Sequence, residues 1–170
     1  STIGEQYSVS LQAETECWPV FADPGQFEDG LLNLVLNARD AMPKGGEIAI
    51  CVYNARRENF ATPPSDDVDE TEFVGVSLSD NGSGMSEETL RNAVEPFFTT
   101  KGVGKGSGLG LSMVYGFVMQ SKGHFEIESA PDKGTVVRIY LPRARSTDKT
   151  APEPPTTGDV AALARTVLLI

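Results

Sequence analysis

The chain has 170 residues, with 14 basic against 24 acidic side chains and a net charge of −10. That length accommodates one domain with a substantial core, and the charge argues against nucleic acid or an anionic membrane as partner. Cys17 and Cys51 have no metal-ligand spacing and make no disulfide framework, so both read as reduced residues of a cytosolic, cytoplasmic compartment. No run reads as a signal peptide or a bilayer span, so no membrane contact by this portion is expected.

Tyr7–Ala13 and residues 17–21 read as short strands. Residues 24–42 then read as one amphipathic helix, with Asp23 as N-cap and Pro24 at the first helical position. Phe27, Leu31, Leu34, Val35, Ala38 and Met42 recur at helical spacing as a buried stripe, and Pro43 with Gly45-Gly46 ends the helix. Asn33 and Asn37, four apart, project from one face beside that stripe. An amide oxygen is a neutral, hard ligand that could complete the octahedron of a Mg²⁺ already held by phosphates.

Residues 47–54 and 73–80 read as a strand pair, with Val74, Val76 and Leu78 alternating inward. The proline-rich, acidic segment between them reads as an exposed loop. Residues 86–94 read as a short helix capped by Ser86. Residues 109–122 read as a longer helix that buries Leu111, Val114, Tyr115, Val118 and Met119. Residues 125–129 and 135–141 close the sheet as a hairpin, with His124 as an exposed strand residue. Strands mixed with helices and ending in a hairpin point to an open mixed sheet covered on one face by helices.

Two glycine-rich turns carry the chemistry. Asp80-Asn81-Gly82-Ser83-Gly84 puts a carboxylate at a strand end, and Gly104-Lys105-Gly106-Ser107-Gly108-Leu109-Gly110-Leu111 leads into a helix. Amides converging at a helix start favour phosphate. A carboxylate repels phosphate but accepts hydrogen bonds from an exocyclic amine, so it suits a base. The pair reads as a nucleotide site with an adenine end and a phosphate end. A Walker A loop is excluded because Gly106 follows Gly104-Lys105. The Gly-x-Gly-x-x-Gly spacing fails in every register between Gly102 and Gly110, and an EF-hand fails because Gly82 stands where a ligand is needed.

The order Asn37-Ala38-Arg39-Asp40-Ala41, Asp80-x-Gly82-x-Gly84, Pro96-Phe97-Phe98-Thr99-Thr100-Lys101 and Gly106-x-Gly108-Leu109-Gly110-Leu111 resembles the catalytic ATP-binding domain of sensor histidine kinases. These segments correspond in turn to the N, G1, F and G2 boxes of the GHKL superfamily. The resemblance implies a GHKL (Bergerat-type) fold, an α/β (α+β) two-layer sandwich whose mixed, largely antiparallel sheet is covered on one face by helices. It implies ATP and Mg²⁺ as cofactors, with Asn37 on the metal and Asn33 near the phosphates. Asp80 would accept from the adenine amino group, with Gly82 and Gly84 allowing the tight turn beside the base and Thr135 supporting that end. Phe97, Phe98 and the following Thr99-Thr100-Lys101 would belong to a mobile lid. Lys101, and with less claim Lys105, would contact phosphate. Gly106, Gly108 and Gly110, with Leu109, would form the hinge and amide cradle, leaving Asn37 and Lys101 as the catalytic pair. Some relatives carry a basic residue three after the asparagine, where this chain has Asp40.

The resemblance also bears on the reaction and the partners. The superfamily's ATPases place a general-base glutamate where this chain has Asn33, which takes no proton at neutral pH. That argues against a stand-alone ATPase and favours a protein histidine kinase; a serine kinase acting on a partner protein is the alternative, separated by whether a histidine-bearing helical hairpin lies upstream. A degenerate nucleotide- or partner-binding module is the rival from outside enzymology. The phosphoacceptor would sit on a histidine-bearing dimerisation domain upstream in the parent chain, and the fragment itself is expected to be monomeric. Residues 1–143 would be the catalytic domain and 144–165 a proline-rich linker. The apolar run 166–170 reads as a docking strand or as the first strand of a receiver domain, the latter resembling a hybrid kinase that passes phosphate to a receiver or response regulator.

Overall fold

The computed structural model describes residues 6–66, 68–102 and 106–145. Five strands, β1 (Tyr7–Ala13), β2 (Gly46–Arg56), β3 (Glu72–Asp80), β4 (His124–Ser129) and β5 (Thr135–Pro142), form one sheet in the order β1-β2-β3-β5-β4. β1 runs parallel to β2 and every other pairing is antiparallel. Among the described residues, three α-helices, α1 (Pro24–Asp40), α2 (Glu87–Asn92) and α3 (Gly110–Gln120), and one 3-10 turn, Arg57–Asn59, accompany the sheet.

Alternation decides which sheet face the long helices cover. Ile50 and Val52 of β2 stand opposite Leu78 and Val76 of β3, and these opposite Val137 and Ile139 of β5, with Ile48 on the same face. All are buried together with Phe27, Leu31, Leu34, Val35 and Ala38 of α1. The Asp23 carboxylate caps α1 by accepting from the Gln26 amide at 2.9 Å, and Pro24 begins the helix as expected. α1 and α3 meet through Phe27 and Phe117, whose ring centroids lie 6.3 Å apart.

Four expectations are corrected. Residues 17–21 are not a strand: Val20 alone bridges, to Arg143. Pro19 beside it has no amide to give a ladder, and the Trp18 amide goes to the Asn54 side chain instead. On α3, Phe117 and not Tyr115 joins Val114 and Val118 in the core. The i, i+3, i+4 stripe from Val114 selects it, while Tyr115 rests edge-on against Phe125 at the margin.

The acidic segment 55–72 does not simply hang in solvent. Glu58, Asp66 and Asp69 are exposed, but Val68 is buried and Phe60 packs on Phe73, His124 and Tyr140, covering the face of the sheet opposite the long helices. His124 is accordingly buried at 7% exposure. Its Nε2 lies 3.2 Å from Glu126 Oε1 and 3.1 Å from the Thr62 hydroxyl. A buried imidazole needs such partners, and the apolar residues inside the acidic run provide the cover. Beyond residue 145, the expected linker and the run 166–170 lie outside the described residues.

Candidate nucleotide-binding site

A cleft of about 430 Å³ opens between the C-terminal half of α1, the end of β3 and the start of α3. Asn33 and Asn37 line it from α1. Their spacing of one turn keeps both on the same side of the helix, next to the buried stripe. The Asn33 amide faces the start of α3: a Cβ placed on Gly110 would lie 3.5 Å from Asn33 Oδ1.

Asp80 closes the other end. It is the last residue of the central strand β3 and stands opposite Thr135 of β5. Its carboxylate accepts from the backbone amides of Gly82, at 2.8 Å, and Thr135. Burial nonetheless pushes the carboxyl above its ordinary value, and the two amides offset this only in part. The walls beside it are apolar, from Leu78, Met85, Ile127 and Val137. A flat heterocycle with an amino group on its edge fits such a slot.

The turn after Asp80 is tied down on both sides. Asn81 Oδ1 accepts from the Glu47 amide at 2.9 Å, and the Ser83 amide donates to the Ala41 carbonyl at 3.0 Å. Gly84 has φ +64°, and a Cβ there would fall 1.9 Å from the Ala130 carbonyl oxygen. No side chain fits that position, which explains the second glycine of the turn.

At the far end lie Thr99, Thr100, Lys101, Gly106, Ser107 and Gly108, below the first turn of α3. Gly110 and Leu111 bring the first turn of that helix, with its positive dipole end, to the cleft, the arrangement that attracts phosphate. Gly108 has φ +67°, and its carbonyl accepts from the Phe97 amide at 3.0 Å. Lys101 Nζ lies 2.6 Å from Asp40 Oδ2, while Arg39 donates to Asp40 Oδ1 from Nε at 3.1 Å and Nη2 at 2.9 Å. Burial acts to raise the Asp40 carboxyl, but the hydrogen bonds and charges of Lys101 and Arg39 outweigh it and hold it below the usual carboxylate range.

The family model described as histidine kinase-, DNA gyrase B-, and HSP90-like ATPase matches residues 22–145, a span that contains this entire cleft. The chain belongs to that family. Among its relatives, the sensor kinase CckA of Brucella abortus is 43% identical over 141 residues, covering 83% of this chain and 15% of the relative. Sporulation kinase E of Bacillus subtilis is 37% identical over 124 residues, 73% of this chain and 15% of the relative. The chain thus spans a small part of the length of these proteins. Among solved structures, the catalytic domain of histidine kinase ThkA superposes with a TM-score of 0.61 at 27% identity, covering 81% of each chain. Full-length ShkA in complex with AMPPNP superposes with a TM-score of 0.62 at 20% identity, covering 82% of this chain and 26% of that one. The five-stranded mixed sheet with its helices is the fold of histidine kinase catalytic domains.

Within this histidine kinase-like ATPase fold, Asn33, Asn37, Asp80, Gly84, Lys101, Gly106, Gly108, Gly110 and Thr135 meet in one cleft. Gly82 stands behind Asp80 as an amide donor. Phe97 is 75% exposed and does not line the cleft, whereas its neighbour Phe98 does. Leu109 lies outside the lining, and Lys105 falls outside the described residues. Sequence reasoning missed Met85, Ile127 and Val137. Strand alternation held the signal for two of them: Val137 follows Thr135 by two on β5, and Ile127 pairs with Val137.

Proposed function

We propose that this chain binds Mg-ATP in the cleft and serves as the catalytic part of a two-component sensor histidine kinase, presenting the γ-phosphoryl to a histidine on a separate domain. The observation that carries this reading is the polarity of the cleft. One half-buried carboxylate sits in an apolar slot at one end, and a lysine, helix amides and two asparagines gather at the other. The relatives named sensor and sporulation kinases support it.

Asp80 accepts a hydrogen bond from the adenine amino group, which guanine cannot offer at that position. Lys101 and the amides at the start of α3 hold the phosphates. Asn37 supplies a neutral oxygen suited to a Mg²⁺ that arrives with the nucleotide. The donor set fits, because both asparagines line the phosphate end and neither carries a charge to repel the ligand. Held there, such a cation would supply charge stabilisation to the phosphates. Asn33 cannot take a proton from water, so the site lacks a general base at that position and is suited to saving the γ-phosphoryl for an acceptor.

The acceptor is not His124. That ring is buried beneath Phe60 on the sheet face opposite the cleft, which is why a partner domain bearing the histidine is needed. A receiver or response regulator is the next acceptor in this scheme. We place the domain in the cytoplasm as a monomer; among the described residues no helix is long and apolar enough to cross a membrane.

Calorimetric titration with ATP and with GTP, each with and without Mg²⁺, tests the site. Mg²⁺-dependent binding of ATP over GTP is expected. A folded chain that binds neither would remove the kinase reading. Gel filtration at a dimer mass would refute the monomer.

A further inference from the structure

Lys101 is already engaged. Its ammonium meets one oxygen of Asp40, and Arg39 holds the other. Asp40 is the last residue of α1, one turn beyond Asn37, and both line the same cleft. Gly106 packs on the lysine's aliphatic stem, so closely that a Cβ there would lie 3.0 Å from Lys101 Cδ.

We propose that Asp40 is a positioning residue that holds Lys101 in place of phosphate, so that a polyphosphate binds by taking the lysine from it. The inference rests on the nucleotide reading given above. A carboxylate and a phosphate offer an ammonium the same charge-assisted oxygen acceptors. The side chains of Lys101 and Asp40 are 34% and 32% exposed, and pairs this open are held weakly, by at most about fivefold. Arg39 remains on Asp40 when Lys101 leaves, so the exchange strands no bare charge. Asp40 thereby sets how strongly the phosphates are bound and leaves the base end untouched.

The 170-residue chain is titrated with ATP and with adenosine as wild type, Asp40→Asn, Lys101→Met and the double variant, at low and high salt. Asp40→Asn is expected to tighten ATP by about threefold at low salt and less at high salt. It leaves adenosine unchanged, the gain disappears in the Lys101→Met background, and Asp40→Glu restores wild-type affinity. An equal gain with Lys101→Met would mean that Asp40 merely repels phosphate, and would overturn the inference, as would weaker ATP binding by Asp40→Asn. Failure of the wild type to bind either ligand would remove the nucleotide site itself, and this inference with it.

Discussion

The Phe97 amide donates to the Gly108 carbonyl at 3.0 Å, and both residues hold a left-handed backbone, at φ 67° each. Together they pinch the base of the loop that carries Lys101, joining the segment before it to the glycine turn after it. A Cβ on Gly108 would lie 2.5 Å from the Phe97 carbonyl carbon.

Gly108→Ala should therefore open this pinch. The left-handed conformation alone costs an alanine about 1–2 kcal/mol, and the clash adds to it. ATP binding is expected to weaken while adenosine binding persists, because Asp80 and its slot lie at the other end. Paired titrations of ATP and adenosine check this; equal loss of both would show that the turn supports the whole cleft.

Asp80→Asn separates recognition from stability. A hydrogen bond to a charged group is worth about 1.5–3 kcal/mol, so ATP affinity should fall at least about tenfold and the preference over GTP should vanish. Calorimetry on the variant reads both.

The same variant should not lose stability. Burial raises the Asp80 carboxyl in the folded state, so the ionised group subtracts stability once pH exceeds its unfolded value. Asparagine removes that term and still accepts from the Gly82 amide. At neutral pH the Tm of Asp80→Asn is expected to equal or exceed wild type, and any gain should fade as pH falls through the carboxyl range. A lower Tm at neutral pH would contradict the assignment.

Glu126 runs the other way. Burial acts to raise its carboxyl, but the Thr62 amide, His124 and the Ala61 amide together bring it below the ordinary 4.5. Its folded value is depressed, so its contribution is present above the unfolded value and is lost as pH drops through the folded one. Denaturant titrations from pH 7 into the acid range should show a shallower acid limb for Glu126→Gln than for wild type.

His124→Gln tests the acceptor. With the ring on the far face of the sheet, phosphotransfer to an added histidine-bearing partner domain should continue unchanged, and any radiolabel on the chain itself should not depend on His124. Loss of transfer with an intact melting curve would place His124 in the reaction.

Most of this fold could be read from local pattern. The Asp23 cap, the apolar stripe of α1 and the period-two strands are short-range signals, and each appears where expected to within a few residues. The site was legible for a related reason: its glycines and carboxylate lie at element ends, where few other residue types fit. Packing across the sheet was not legible. Phe60 and Val68 find their cover among residues far along the chain, and nothing in the acidic run around them announces it. Tyr115 and Phe117 are both aromatic and two apart; the helical stripe from Val114 already favours Phe117, and Phe27 of α1 completes its burial. The Asp40–Lys101 contact spans 61 positions, beyond any local periodicity.

Asp80 ends the middle strand of the sheet, held by paired neighbours on both sides. The counterpart at the phosphate end, Lys101, has its ammonium on the partly exposed carboxylate of Asp40. On the proposed function, the base slot is ready before the nucleotide arrives and the phosphate grip is completed afterwards. ATP, ADP and adenosine should then arrive at similar rates and differ chiefly in how long they stay. Such a domain would sense the number of phosphates through residence time.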